Sequence, residues 1–309
     1  MINRIIIRIK VLQILYAYYQ NGGKDLASAE NELMHSLLKS YELYHYLLLL
    51  IPALTHLEQQ RLDKRKNKHL ASEEDKNPNV RLINNRFSEQ LSKNKQLSSF
   101  LIEKGSVWTD EDVFLKKLLD QIISSDVYDE YVNSPDTYDS DKEFWHKVFK
   151  NTIHNNEELY DLLEEKSVYW NDDLDIVGTF VMKTIKRFNE STESDSEQIL
   201  LPMFKDEEDK LFAVNLLHKS ILENQSYKDR IEKHIKNWDI ERVASIDLYI
   251  TQLAMAELLN FPTIPINVTL NEYIDIAKFY STPKSSIFIN GTLDAIVKEL
   301  KSEKILFKN

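Results

Sequence analysis

The residues in this chain best suited to chemistry are cations and aromatics at helical spacing. Arg4 and Arg8 stand four apart, so they share a face in the opening turns of a helix. That is the end at which the macrodipole disfavours cations, by about 0.3 kcal/mol or more each. Such a cost points to an external anion, or else the two are ordinary surface arginines. Near the other end Lys284 and Phe288 are again four apart, and Phe288 lies beside the apolar stripe Ile289, Leu293, Val297. An exposed ring stacks on a base while a neighbouring lysine meets the phosphate, as in single-strand recognition; a ring turned inward is ordinary core. Gly291 interrupts the same helix at a cost of about 1 kcal/mol relative to Ala. It calls for close backbone packing or for a contact that needs bare backbone.

Catalytic motifs do not accompany these residues. The five glycines form no Gly-x-Gly-x-x-Gly, Walker loop or Gly-x-Ser-x-Gly, and the eight histidines form no His-Glu-x-x-His. Carboxylate pairs such as Glu157/Asp161 and Glu164/Glu165 read as solvated faces of acidic helices. A carboxylate di-metal bundle needs Glu-x-x-His on two helices, and no metal or cofactor is expected. The chain contains no Cys, which excludes disulfides, thiolate zinc sites and cysteine nucleophiles and fits a reducing cytoplasm. No signal peptide fits MINRIIIRIK, whose charges interrupt its apolar residues. The longest apolar run, Tyr44 to Leu54, holds His45 and Pro52 and is too short to span a bilayer. A non-enzymatic binding protein of the cytoplasm, away from membranes, is the expectation.

The elements that must position these residues are helices. Only 5 Gly and 7 Pro occur in 309 residues, too few for the turns of a β-rich fold, so the fold class is all-α. The spacing predicts helices over 3–20, 28–63, 87–104, 110–132, 139–165, 173–190, 206–224, 228–237 and 241–260, the last with the stripe Ile246, Ile250, Leu253, Ala254 and Leu258. Asn21-Gly22-Gly23 stops the first. Thr269 with Glu272 reads as a capping box for a helix to Tyr280, and Thr282 with Pro283 as the cap and first turn of the last helix. Residues 61–86 read as an exposed loop or frayed helix end, and Ser191–Gln198 as a polar linker. Charge is uneven: residues 106–210 hold 11 basic and 27 acidic side chains, net −16, against −11 for the whole chain. A basic surface on an acidic protein is therefore allowed, because screening over about 8–10 Å makes the local patch decide.

The runs ASIDLYITQLAMAELL (244–259), FPTIPINVTLNEYIDIAKFYS (261–281) and IFINGTLDAIV (287–297) resemble the NusB family of transcription antitermination factors. RIKVLQILYAYYQ (8–20) is similar to that family's opening helix, in particular Arg8, Gln13, Leu15 and Tyr16. The resemblance covers about 1–25 and 205–302. It implies a fold of two helical bundles that binds the boxA element of nascent ribosomal RNA together with the ribosomal protein NusE, in the antitermination complex of RNA polymerase. Carried over by position, Arg4, Arg8, Tyr280, Lys284, Phe288 and Asn290 are the RNA-binding residues and Tyr16 meets NusE. Ile5 and Ile6 stand where the family often has arginine, and Lys284 where it often has an acid.

The implied organisation is an N-terminal helix, 1–25, an inserted helical region, 26–204, with a linker at 191–198, and a C-terminal helical domain, 205–309. The functional carry-over does not extend to the insert. The alternative is a helical interaction scaffold that kept the fold and lost RNA binding. A continuous positive strip joining Arg4/Arg8 to Lys284 separates the two.

Overall fold

In the computed structural model all residues are described except 24, 71, 106, 194–198, 236–242 and 308–309. In chain order the helices are α1 (Arg4–Gln20), α2 (Leu26–Lys66), α3 (Glu73–Lys76), α4 (Arg86–Ser92), α5 (Lys95–Lys104), α6 (Asp112–Ile123), α7 (Asp126–Val132), α8 (Tyr138–Val148), α9 (Glu157–Lys166), α10 (Leu174–Arg187), α11 (Glu207–Leu222), α12 (Asn224–His234), α13 (Ser245–Asn260), α14 (Ile266–Tyr280) and α15 (Ser285–Ser302). A π-helical turn, Phe149–Ile153, extends α8. The all-α expectation holds: among the described residues there is no strand, only an isolated bridge between Ile2 and Phe204.

Side-chain caps explain where the helices divide. The segment expected as one helix over 87–104 is two, because the Asn94 side chain accepts the Leu97 N–H and restarts the chain as α5. Ser125 likewise opens α7 by accepting from Tyr128, and Asn156 opens α9 by accepting from Leu159. Each short polar side chain offers the backbone a partner that competes with an unbroken helix. At the end of α1, Gly22 and Gly23 take φ of 84° and 60°, the left-handed region that ends helices. The stretch 61–86 is more ordered than expected. The end of α2 runs into it, α3 carries a Ser72/Asp75 capping box, and Arg81 and Arg86 pair with Asp136 and Asp141. Of the linker, residues 194–198 lie outside the described residues.

The chain divides into two compact units. One comprises Met1 and Leu38–Met203 and has an aromatic core that includes Tyr44, Phe87, Trp145, Phe149 and Phe188. The other comprises Ile2–Leu37 and Phe204–Asn309, so it includes the first turns of α2. At its centre lies α13, packed against α1, α11, α12, α14 and α15. The stripe expected on α13 understates its burial: every residue from Ile250 to Leu258 is buried, Thr251, Gln252 and Glu257 included. Buried polar groups of this kind must find partners, and Glu257 finds them in the site.

Candidate nucleic-acid interface

Arg8 faces inward from α1. Its Nε and one terminal nitrogen donate to the two carboxylate oxygens of Glu257 on α13 at 2.8 and 2.9 Å, and the other terminal nitrogen donates to Glu272 on α14 at 3.1 Å. Thr269 and Tyr273 of α14 donate to the same Glu257 carboxylate at 2.9 and 3.1 Å. Burial alone would lower the Arg8 pKa, but the bonds and charge of Glu257 reverse that, and the guanidinium is held above its ordinary value. Burial pushes the Tyr273 phenol far up, so it stays a donor. Arg8 is 2% exposed, which corrects the expectation that it neutralises a phosphate. Its charge ties α1 to α13 and α14. The same network corrects the Thr269/Glu272 capping box: α14 begins at Ile266 after Pro265, and both side chains serve the Glu257–Arg8 pair.

Arg4 is half-buried. It donates to Glu208 at 2.6 Å and Asp209 at 3.2 Å, with its guanidinium 5.1 Å from the centre of the Phe212 ring. Both arginines are thus matched by acids, so among the described residues neither supplies an unpaired charge to a strip toward Lys284.

The second predicted patch is a surface feature. The α14–α15 turn is tied down by hydroxyls: Ser281 donates to the buried Asp247 at 2.5 Å, and Ser285 Oγ lies 2.9 Å from Ser281 and 2.8 Å from Thr282. The expected Thr282 cap is corrected, since α15 starts three residues later, at Ser285, and has no side-chain N-cap. Lys284 is exposed and Phe288 half-buried. They line a groove of about 410 Å³ with Ile287, Gly291, Thr292 and the end of α12 at His234 and Ile235. Ile287 is 75% exposed. A Cβ built at Gly291 would meet none of the described residues within 4 Å, so among them close packing does not explain this glycine. Asn290 is exposed but lies about 200° around the helix from Phe288, and Tyr280 is half-buried beside the exposed ring of Phe279, 5.3 Å between centroids. Neither lines the groove.

Tyr16 is exposed on α1, 6.0 Å edge-on from Tyr249 of α13, which stacks on Tyr19 at 5.2 Å. Burial raises the pKa of Tyr19 and of Tyr249, so this surface presents neutral phenols. The Glu-x-x-His spacing occurs three times, at Glu32/His35, Glu42/His45 and Glu143/His146. Among the described residues, however, no group of three or more His, Asp or Glu could hold a metal ion, and no helix is long and apolar enough to cross a membrane.

Sequence reasoning missed Glu257, Tyr273 and Asp247, which position the two patches. Charged or hydroxylated residues inside so apolar a helix as α13 were the available signal. It also missed Ile287 and Phe279, whose exposure no spacing rule reveals.

Comparison with known proteins identifies relatives of this chain. The NusB family model matches residues 179–298, a match that begins within α10. The transcription antitermination protein NusB of Salinibacter ruber is 40% identical over 133 residues, covering 41% of this chain and 82% of that protein. That of Koribacter versatilis is 39% identical over 99 residues, 32% of this chain and 68% of the relative. That of Chloroherpeton thalassium is 42% identical over 98 residues, 32% of this chain, which spans less than half, 46%, of that relative. No solved structure matches the chain significantly. With this identity over most of the S. ruber protein, and with the motif residues forming the α1–α13–α14 network, the chain belongs to the NusB family of transcription antitermination proteins.

Proposed function

We propose that this protein binds single-stranded boxA-like RNA through the groove at the start of α15, and that it acts with the ribosomal protein NusE in the antitermination complex of RNA polymerase, without catalysis. The observation that carries the reading is the groove itself, which brings exposed Lys284, half-buried Phe288 and bare Gly291 onto one face. Lys284 precedes the first turn of an 18-residue helix that has no side-chain N-cap, so the helix dipole adds to its attraction for a phosphate. Phe288 and Ile287 offer an apolar platform for an unpaired base, worth about 1–3 kcal/mol per stacked base. Gly291 lets the ribose or base approach the backbone. Phosphate contact therefore rests on Lys284, with Arg4 available only by exchange with Glu208 and Asp209 and Arg8 acting as a positioning residue. Tyr280 and Asn290 would meet RNA that extends beyond the groove. Tyr16, with Tyr19 and Tyr249, is the surface for NusE.

Titration of a boxA-like RNA tests this. Lys284→Ala/Phe288→Ala is expected to weaken binding at least tenfold with unchanged melting, and unchanged affinity at moderate salt overturns the assignment. One observation favours the scaffold reading: both N-terminal arginines are neutralised by acids. Under that reading the tyrosine surface binds its partner and the groove binds no RNA.

A further inference from the structure

The basic end of α2 belongs to the unit formed by Met1 and Leu38–Met203, far in sequence from the motifs that carry the family resemblance. Arg61, Lys64 and Arg65 share a face of α2, and Lys68, two residues past its end, lines the same groove; together they make a row roughly 10 Å long. Lys116 of α6 stands across from them, and together the five cations rim a groove of about 360 Å³ in which Asp120 is the acidic lining residue. This concentration occurs beside a segment, 106–210, whose net charge is −16.

Two of the cations share a partner, Arg65 donating to Asp75 at 2.7 Å and Lys68 lying 3.8 Å from the same carboxylate, whose side chain is 11% exposed; Arg61, Lys64 and Lys116 are held more loosely. Lys64 makes no hydrogen bond or ion pair among the described residues. Arg61 bonds Asp120 at 2.6 Å and Lys116 bonds Asp112 at 3.0 Å, with all four side chains at least 43% exposed. Exposed pairs of this kind contribute little, so a ligand phosphate displaces Asp120 and Asp112 at little cost. The floor is formed by Leu57 and Leu119, aliphatic side chains that cover a sugar edge without selecting a base. Part of the positive charge serves the helix itself, since Lys64 and Arg65 oppose the C-terminal dipole of α2. That role accounts for neither Lys68, which lies beyond the helix, nor Lys116, which lies on another one.

We propose that this groove is a second RNA site, which holds the phosphodiester backbone without reading sequence and so captures transcript flanking the boxA-like element. A row of roughly 10 Å matches about three phosphates of a stacked single strand. The proposal rests on the reading of the protein as an RNA binder, which places a polyphosphate chain at its surface.

The test uses the full chain, a salt series, and three polyanions: a short boxA-like RNA oligonucleotide, the same element extended by an unstructured single-stranded flank, and poly-glutamate. Lys64→Glu/Lys68→Glu/Lys116→Glu is expected to bind the extended RNA at least tenfold more weakly, with the slope of log K against log salt reduced by about 2. Affinity for the short RNA stays as in the parent, and the Lys→Arg triple variant behaves as the parent. Circular dichroism melting shows whether the Glu variant is folded; if it is not, single Lys64→Glu is read with the same two RNAs. Equal affinity and slope for the extended RNA overturn the proposal. So does a loss seen only for poly-glutamate, which assigns the groove to acidic protein segments. Failure of the parent to bind either RNA overturns the underlying RNA reading instead.

Discussion

Arg8→Ala removes two charge-assisted bonds to Glu257 and one to Glu272. The Glu257 carboxylate, whose side chain is 0% exposed, keeps Thr269 and Tyr273 among its donors. Removing one partner of a buried pair costs about 3–5 kcal/mol, because an uncompensated charge stays behind. The two surviving hydroxyl bonds place the cost near the lower figure, about 3 kcal/mol. At roughly 2–4 °C per kcal/mol for a body of this size, the melting temperature falls by about 6–12 °C. Far-UV circular dichroism of the full chain, in heat and in urea, measures the loss. Glu257→Gln combined with Arg8→Met is expected to cost less than the sum of the two single changes, since together they remove the stranded charge. An Arg8→Ala variant within about 0.5 kcal/mol of the parent, as for an exposed side chain, refutes the buried-latch reasoning.

Two further outcomes follow from the geometry. Gly291→Ala adds a methyl that meets none of the described residues within 4 Å, so it stabilises α15 by about 0.5–1 kcal/mol in urea titrations. RNA affinity falls at the same time; equal or better binding would show that bare backbone is not used. His45, 4% exposed in α2, is held below its ordinary 6.5 by burial, against the raising effects of the Tyr41 carbonyl and the Glu42 charge. Between that lowered value and 6.5 the unfolded chain binds a proton that the folded chain does not. Its contribution is therefore complete above about pH 6.5 and declines as pH falls from there through the folded value. Urea midpoints from pH 7.5 to 5.5 are expected to drop less for His45→Gln than for the parent, and coincident curves would contradict this.

Helix content was legible from glycine and proline scarcity and from apolar spacing, because both depend on local backbone preference. Helix ends between 87 and 166 were not, because Asn94, Ser125 and Asn156 act as caps or as ordinary polar residues according to tertiary context. In the groove, Lys284, Phe288 and Gly291 were legible as one face, since α15 carries Phe288 and Gly291 and Lys284 directly precedes it. Arg8 was misread for the complementary reason. Its partners Glu257 and Glu272 lie 249 and 264 residues away in sequence, and helical periodicity from Arg4 places it on a face without saying what covers that face. Thr269 and Glu272 satisfy the pattern of a capping box, yet Pro265 starts the helix earlier and frees both for the ion-pair network.

The central claim is that the Lys284–Phe288–Gly291 face is the RNA site. Fluorescence anisotropy with a labelled boxA-like RNA at moderate salt tests it most directly, comparing the parent with Lys284→Ala/Phe288→Ala at matched melting temperature. The account predicts at least a tenfold rise in Kd for the variant and a salt slope shallower by about one phosphate contact. A variant that binds as tightly as the parent, with the same slope, would contradict it.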